Sequence, residues 1–375
     1  MYNIFLKIFL VYNFQVRILI VSDSISHHVV LVNWISDLTK MGHEIKLTAP
    51  TFNYKCLFFF RNSKINRIHK LCVQIVNIKN IMRLKNEVSQ YAPDLIWFHN
   101  INLEWSWSCL LVQTKSNVPK IITLHDLTSI YPEKIVEEML DSNLKFMYFK
   151  IGLLKGIIYK LRGLLIKYFL SKVKVVSIGE LQNKILCSNN IKVVKRIENY
   201  VMECTCNSND NLQKENVILF AGRQILKGLD VVVESVARSD NWVLLIAGNN
   251  DLLSYAKHKL PSTKYRYLGQ ISNLDLIYYI HSVKFVAVLS KYYDNFPTIG
   301  IEALVHGSLP ITTNLTGISS LCKNISSKLV FNSSDIPDLE QLNLEFYIKK
   351  DKISFSTSNL TDKEMFFDNI FSLVI

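Results

Sequence analysis

The 375-residue sequence lacks several signatures that would assign it quickly. No G-x-G-x-x-G follows its first strand-like segment, which argues against a standard dinucleotide oxidoreductase. No D-x-D pair is present to hold Mg²⁺ through phosphates, and no single segment spaces His, Asp and Glu as a metal site would. A chemistry that requires no metal is therefore expected. The seven cysteines (Cys56, Cys72, Cys109, Cys187, Cys204, Cys206 and Cys322) are odd in number and scattered. Cys204 and Cys206 have no second pair to complete a zinc site, so reduced thiols are expected. Zinc-ligand spacing, RNA-recognition aromatics and heptads after a basic helix are all missing, and no nucleic-acid partner is expected. The apolar stretch 1–14 (MYNIFLKIFLVYNF) is short against the roughly 20 residues of a membrane span. Lys7 interrupts it, and no small-residue cleavage site follows. It reads as an extra segment or the product of an upstream start codon, with a weak interfacial anchor as the functional alternative.

What is present is a hydrophobic, basic chain. Hydrophobic residues make up 49%, without low-complexity runs. The length exceeds one core and implies two domains. The 43 basic and 31 acidic residues leave a net charge of +12, which suits an anionic ligand or surface. Arg17–Val21 (RILIV) reads as a buried strand. A polar turn (SDSISHH), a helix through Val30, Trp34, Leu38 and Met41, Gly42 and a strand at Glu44–Ala49 follow. This β-α-β unit implies a parallel sheet. Further strands are expected at Val73–Ile78, Leu95–His99, Lys120–Leu124, Lys174–Ile178 and Lys192–Arg196. A second series begins at Val217–Ala221, with a helix at Leu229–Ala237 and strands at Trp242–Gly248, Tyr265–Leu268, Phe285–Leu289 and Leu309–Thr312. The polar segment 207–215 between the series is the expected linker. Two tandem open α/β sheets would bind ligands beyond the carboxyl ends of their strands, in a cleft between domains.

The most informative segment is Asp294–Gly307 (DNFPTIGIEALVHG). Pro297 suits the first turn of a helix, and Ile301, Leu304 and Val305 share a helical face. Asp294 is expected on the loop before that helix and Glu302 inside it. Free amides at the helix start would form an anion cradle between the two carboxylates. Gly222, Arg223, Lys227 and Gly228 in AGRQILKG lie between a strand and a helix, where Arg and Lys suit a diphosphate clamp. A solvated basic turn is the plainer reading. His125 follows the strand IITL, placed to donate a hydrogen bond or carry a proton. Asp126 would position it, reach an acceptor hydroxyl, or cap the next helix. His27 and His28 lie in the first β-α loop. Segment 144–174 alternates Lys and Arg with Leu, Ile, Phe and Tyr and contains no acid. It suits an anionic membrane surface, or a domain helix packed inward with lysines in solvent.

These motifs resemble the retaining GT-B glycosyltransferases of group 1 (family 4), most strongly from Val217 to Thr313. Asp294 stands where that family's E-x7-E motif begins and Glu302 where it ends. Arg223 and Lys227 match its GR…KG stretch, and His125 matches its N-domain histidine. Tyr267–Gln270 (YLGQ) is similar to the segment before a helix, and Asn199–Val201 (NYV) to the hinge turn. The resemblance implies that Arg223 and Lys227 bind the donor diphosphate, Glu302 the ribose hydroxyls and Asp294 the sugar hydroxyls. The amides of Thr298 and Ile299 would help hold the sugar or phosphate, Gly269 and Gln270 would line the base pocket, and His125 would lie near the reacting carbon. Three departures are evident: SDSISHH replaces the N-terminal Gly-Gly loop, Asp294 is one methylene shorter than Glu, and Pro297 removes one backbone donor.

The expected architecture is GT-B, α/β, with two Rossmann-like parallel-sheet domains. Residues 1–200 would bind the acceptor and 201–356 the nucleotide-sugar, while a C-terminal helix in 357–375 would pack back on the first domain. The expected activity is metal-independent, retaining transfer from a UDP- or GDP-sugar to a glycan or lipid-linked acceptor of a surface polysaccharide. It would take place in the cytoplasm, on the inner face of the plasma membrane. A GT-B nucleotide-sugar epimerase and a non-catalytic partner subunit are the alternatives.

Overall fold

The computed structural model describes residues 15–23, 29–48, 75–99, 101, 105–113, 117–127, 153–200, 215–357 and 361–374. The 1–14 segment, His27, His28, residues 144–152 and most of the expected linker lie outside them. By its contacts the chain forms two compact units. One holds the described residues up to Leu127, from Leu153 to Glu198 and from Glu364 onward. The other holds those from Asn199 to Lys363.

The first unit is built on a six-stranded sheet of order β2-β1-β3-β4-β5-β6. Its strands are β1 (Arg17–Ser22), β2 (Glu44–Thr48), β3 (Leu95–His99), β4 (Lys120–Leu124), β5 (Lys174–Ser177) and β6 (Val193–Arg196). Every pairing is parallel. Such strands are covered on both faces, so they read as apolar runs: β3 (LIWFH) is buried at every position. Helix α1 (Val29–Lys40) packs Leu31, Trp34 and Leu38 inward. Val73 and Gln74 of the expected strand at Val73–Ile78 lie outside the described residues, and the rest is corrected: Ile78 opens helix α2 (Ile78–Tyr91), capped by the Asn77 side chain, which accepts from Asn80 N at 3.2 Å. The buried Leu84 and Val88 of α2 have helical spacing. Helices α3 (Leu153–Leu170) and α4 (Glu180–Ser188) follow.

The second unit has the order β12-β11-β10-β7-β8-β9, again in parallel. Its strands are β7 (Glu215–Gly222), β8 (Val243–Gly248), β9 (Tyr265–Gly269), β10 (Val283–Val288), β11 (Leu309–Thr313) and the two-residue β12 (Val330–Phe331). Between them run α5 (Leu229–Arg238), α6 (Asn250–Lys259), α7 (Asn273–Ser282), α8 (Thr298–Val305) and α9 (Ser319–Ile325), and α10 (Leu339–Thr357) follows. In α8, Ile301, Ala303 and Leu304 are buried, whereas Val305, on the same helical face as Ile301 and Leu304 by spacing, is 40% exposed. The buried Lys284 on β10 donates to Asn216 Oδ1 (2.6 Å), Asn343 Oδ1 (2.8 Å) and the Tyr347 hydroxyl (3.0 Å), tying α10 to this sheet.

The last helix, α11 (Lys363–Phe371), joins the first unit through Phe366, whose ring lies 4.6 Å from that of Trp34. Phe366 is 1% exposed. Phe366→Ala is expected to destabilise this unit by about 3–5 kcal/mol, the usual cost of emptying a buried aromatic site, as measured by denaturant unfolding followed through tryptophan fluorescence.

Candidate functional site

The second sheet reverses its direction of growth at β7. β8 and β9 extend one side, and β10 then pairs on the other. Loops after the two strands at such a reversal diverge and leave a crevice beyond the strand ends, the usual ligand position in open α/β sheets. Here they are the 223–228 turn after β7 and the 289–297 loop after β10. The turn passes through a short 3₁₀ segment, Ile225–Lys227, to Gly228 at φ +100°. A Cβ on Gly228 would run into the Leu289 carbonyl, so this approach requires glycine. Lys291 N donates to Leu226 O at 3.0 Å, and the Lys291 ammonium pairs with Asp230. A third contact crosses the same gap: Lys227 Nζ lies 2.6 Å from Asp294 Oδ2.

The backbone of Asp294 is fixed from both sides. Its N–H donates to Leu315 O at 3.1 Å, and Gly317 N donates to its carbonyl at 2.8 Å. Gly317 tolerates no Cβ, which would strike the Asn295 carbonyl. Asn295, Phe296 and Pro297 are buried, and α8 starts at Thr298. The amides of Thr298 and Ile299 therefore precede the first backbone bond of this turn, from Gly300 N to Pro297 O at 3.1 Å.

Lys227 is half-buried. Burial pulls its pKa down, but the Asp294 carboxylate and Tyr292 outweigh burial and hold the ammonium above the ordinary lysine value. Its Nζ also sits 4.8 Å from the Tyr292 ring centre. The Glu302 side chain on α8 has no hydrogen bond or ion pair among the described residues, and burial pushes its carboxyl up to about 7. Arg223 is exposed, and its carbonyl accepts from Asn249 Nδ2 at 3.1 Å. Asn249 Oδ1 accepts from Gln270 Nε2 at 3.3 Å, and the Tyr267 hydroxyl donates to Gly248 O at 2.7 Å. The ends of β7, β8 and β9, with Gly222 and Gly269, are thus linked into one polar edge. Asn249 and Tyr292 were missed in the sequence. Asn249 follows a strand end, the position that singled out His125, whereas nothing local marks Tyr292.

In the first unit, His125 follows β4 and meets His99, the last residue of the neighbouring β3: Nδ1 of His99 lies 3.0 Å from Nε2 of His125. The buried Gln182 side chain donates to both Leu124 O (2.8 Å) and Asp126 O (3.1 Å), holding the backbone on either side of His125. Among the described residues no group of three or more His, Cys, Asp or Glu side chains could hold a metal ion. Cys109 and Cys322 are buried, and burial raises both thiols to about 12.

Residues 206–352 match the model of the family described as glycosyl transferases group 1. The second unit is thus of the group 1 glycosyltransferase type. No curated protein matches the chain. Among solved structures, the chain is similar to the sucrose-phosphate synthase of Thermosynechococcus elongatus (TM-score 0.68, 14% identity, 96% of this chain and 98% of that one). It is similar to a glycosyltransferase of Rickettsia africae (TM-score 0.64, 15% identity, 96% and 98%). It also resembles Anabaena HepE, solved in complex with UDP and glucose (TM-score 0.62, 12% identity, 96% and 99%). At these identities the likeness shows the fold, which is α/β GT-B with two Rossmann-like parallel-sheet units.

The raised pKa of Glu302 makes a signed prediction. Its folded value, about 7, exceeds the ordinary 4.5. The folded protein therefore holds the extra proton between those values, and the cost of burying the carboxylate is fully present above pH 7. Glu302→Gln is expected to stabilise the ligand-free protein by up to about 3 kcal/mol at pH 8 and by less than about 1 kcal/mol at pH 5. Thermal unfolding of both proteins across that range checks it.

Proposed function

We propose that this protein is a retaining, metal-independent glycosyltransferase that moves a hexose from a UDP- or GDP-sugar to a glycan or lipid-linked acceptor in surface-polysaccharide synthesis. The observation that carries the reading is the gathering of Arg223, Lys227, the start of α8 and Glu302 around one strand reversal, within the segment that matches group 1 glycosyl transferases. HepE with UDP supports a uridine nucleotide as the first donor to try. In this reading Arg223 and Lys227 offset the charge of the leaving diphosphate, with the amides of Thr298 and Ile299 beside them. Glu302 accepts from ribose hydroxyls and Asp294 from sugar hydroxyls. Gly269 and Gln270 line the base. His125 and Asp126, with His27 and His28, serve the acceptor side.

The ion pair in the ligand-free protein adds a step. Lys227 sits on Asp294, so a diphosphate that recruits Lys227 frees the carboxylate to take up sugar hydroxyls. One movement prepares both groups.

A panel of UDP- and GDP-sugars in a thermal-shift assay tests the reading. A donor at 100 times its Kd raises stability by about 2.7 kcal/mol. Lys227→Ala and Glu302→Ala are expected to abolish the shift and the transfer. Unchanged transfer in both variants would defeat the assignment.

The acceptor side carries a surface that supports membrane attachment. On α3, Leu161, Leu164, Leu165 and Tyr168 are 43–56% exposed, while Arg162, Ile166, Phe169 and Leu170 are buried. The outward stripe is therefore apolar, with helical spacing. Lys160 is exposed beside it, and Lys172 Nζ lies 4.9 Å from the Tyr168 ring centre. An anionic bilayer fits both features, and would hold the protein peripherally on the inner face of the plasma membrane. No described helix is long and apolar enough to cross a membrane. Sedimentation with anionic vesicles at low salt is expected for the native protein and not for Leu164→Glu/Tyr168→Glu. Equal binding of the two proteins would refute the role of α3.

A further inference from the structure

His99 is buried to 1% exposure at the end of β3, yet no part of the transfer reading calls for a second histidine there. It is packed among aromatic rings, with centroids 4.8 Å from Trp97, 5.4 Å from Trp34 and 5.2 Å from His125. Trp34 also touches His125 at 5.6 Å, and Phe366 of α11 presses on Trp34. A phenylalanine would fill such a site without the cost of burying a polar ring. What the imidazole adds is its Nδ1, 3.0 Å from His125 Nε2.

We infer that His99 is the positioning residue of His125, and that the two rings form one hydrogen-bonded unit at the ends of β3 and β4. The inference rests on the reading of His125 as a transfer residue. An N–H···N bond forms only when one facing nitrogen carries the proton and the other does not. The bond therefore couples the tautomers of the two rings and holds the His125 ring in place, in the way a third group orients a catalytic base. Nε2 of His125 is committed to His99, so any hydrogen bond from His125 to a ligand must be made through Nδ1. Gln182 completes the arrangement by fixing the backbone before and after His125, so that ring and main chain are held independently. His99 touches no reacting atom in this scheme and acts through its neighbour.

The test uses the full chain with ¹⁵N-labelled histidine. In the native protein Nε2 of His125 is expected to show the nitrogen shift of a hydrogen-bonded position. His99→Phe keeps the ring packing and is expected to remove that bond and move the shift. His99→Asn places an amide near the former Nδ1 and is expected to restore it. His99→Gln, whose amide falls near the former Nε2, is expected to behave as His99→Phe, and it replaces that variant if His99→Phe fails to fold. With donor and acceptor, His99→Phe or His99→Gln is expected to lower kcat about 10- to 100-fold with the donor KM within about twofold, and His99→Asn to recover part of the loss. Unchanged His125 nitrogen shifts in folded His99→Phe or His99→Gln would overturn the pairing, and an unchanged kcat would overturn its role. A native protein that transfers no sugar would defeat the function proposed above, while the nitrogen shifts would still decide whether His99 positions His125.

Discussion

Much of the second unit's chemistry depends on one topological constraint, the reversal of strand order at β7. Because β10 returns to pair beside β7, the loop carrying Lys227 and the loop carrying Asp294 leave the same edge of the sheet. Residues 67 positions apart then meet at 2.6 Å. Gly228 and Gly317 allow the backbones to come this close, and the backbone bond from Lys291 to Leu226 fixes the distance. Without that reversal, the lysine, the aspartate and the start of α8 would be separate surface features. With it, a cation, its counterion and a set of open amides share one edge, and the half-buried ion pair is strengthened by limited solvent screening.

The same principle acts on a smaller scale in the first unit. β3 and β4 are neighbours in register, with His99 opposite Thr123. A residue ending one strand and a residue following the next are thereby brought to hydrogen-bonding distance. Trp34 from α1 and Phe366 from α11 enclose the pair. The C-terminal helix thus supports a histidine more than two hundred residues earlier in the chain.

The regular parts of the fold were legible in the residues. Strands buried on both faces read as short apolar runs, and Leu95–His99 and Lys120–Leu124 coincide with β3 and β4. The misreading at Val73–Ile78 has a local cause: the run is apolar except for Gln74 and Asn77, and a helix capped by Asn77 begins at its last residue. β12, with two residues, is too short to produce a pattern. Helical spacing puts Ile301, Leu304 and Val305 on one face, whereas the neighbouring elements determine which arc of α8 is covered and leave Val305 at its exposed margin. In the site, Asp294, Glu302, Arg223, Lys227 and His125 stood out by residue type beside strand ends. Their partners Tyr292, Asn249, Gln182 and His99 did not, because each matters through a contact distant in sequence.

The sequence by itself determined the parallel α/β architecture, through strand-length apolar runs alternating with helical periods, and the set of charged residues at strand ends. Those are local properties, written within a few turns of chain. Only the tertiary structure decided that Asp294 holds Lys227, that burial raises the Glu302 carboxyl to about 7, that the apolar stripe of α3 faces outward, and that His125 leans on His99. Each of those depends on which surface another element covers, and burial, ion pairing and pKa follow from that covering rather than from the identity of the residue.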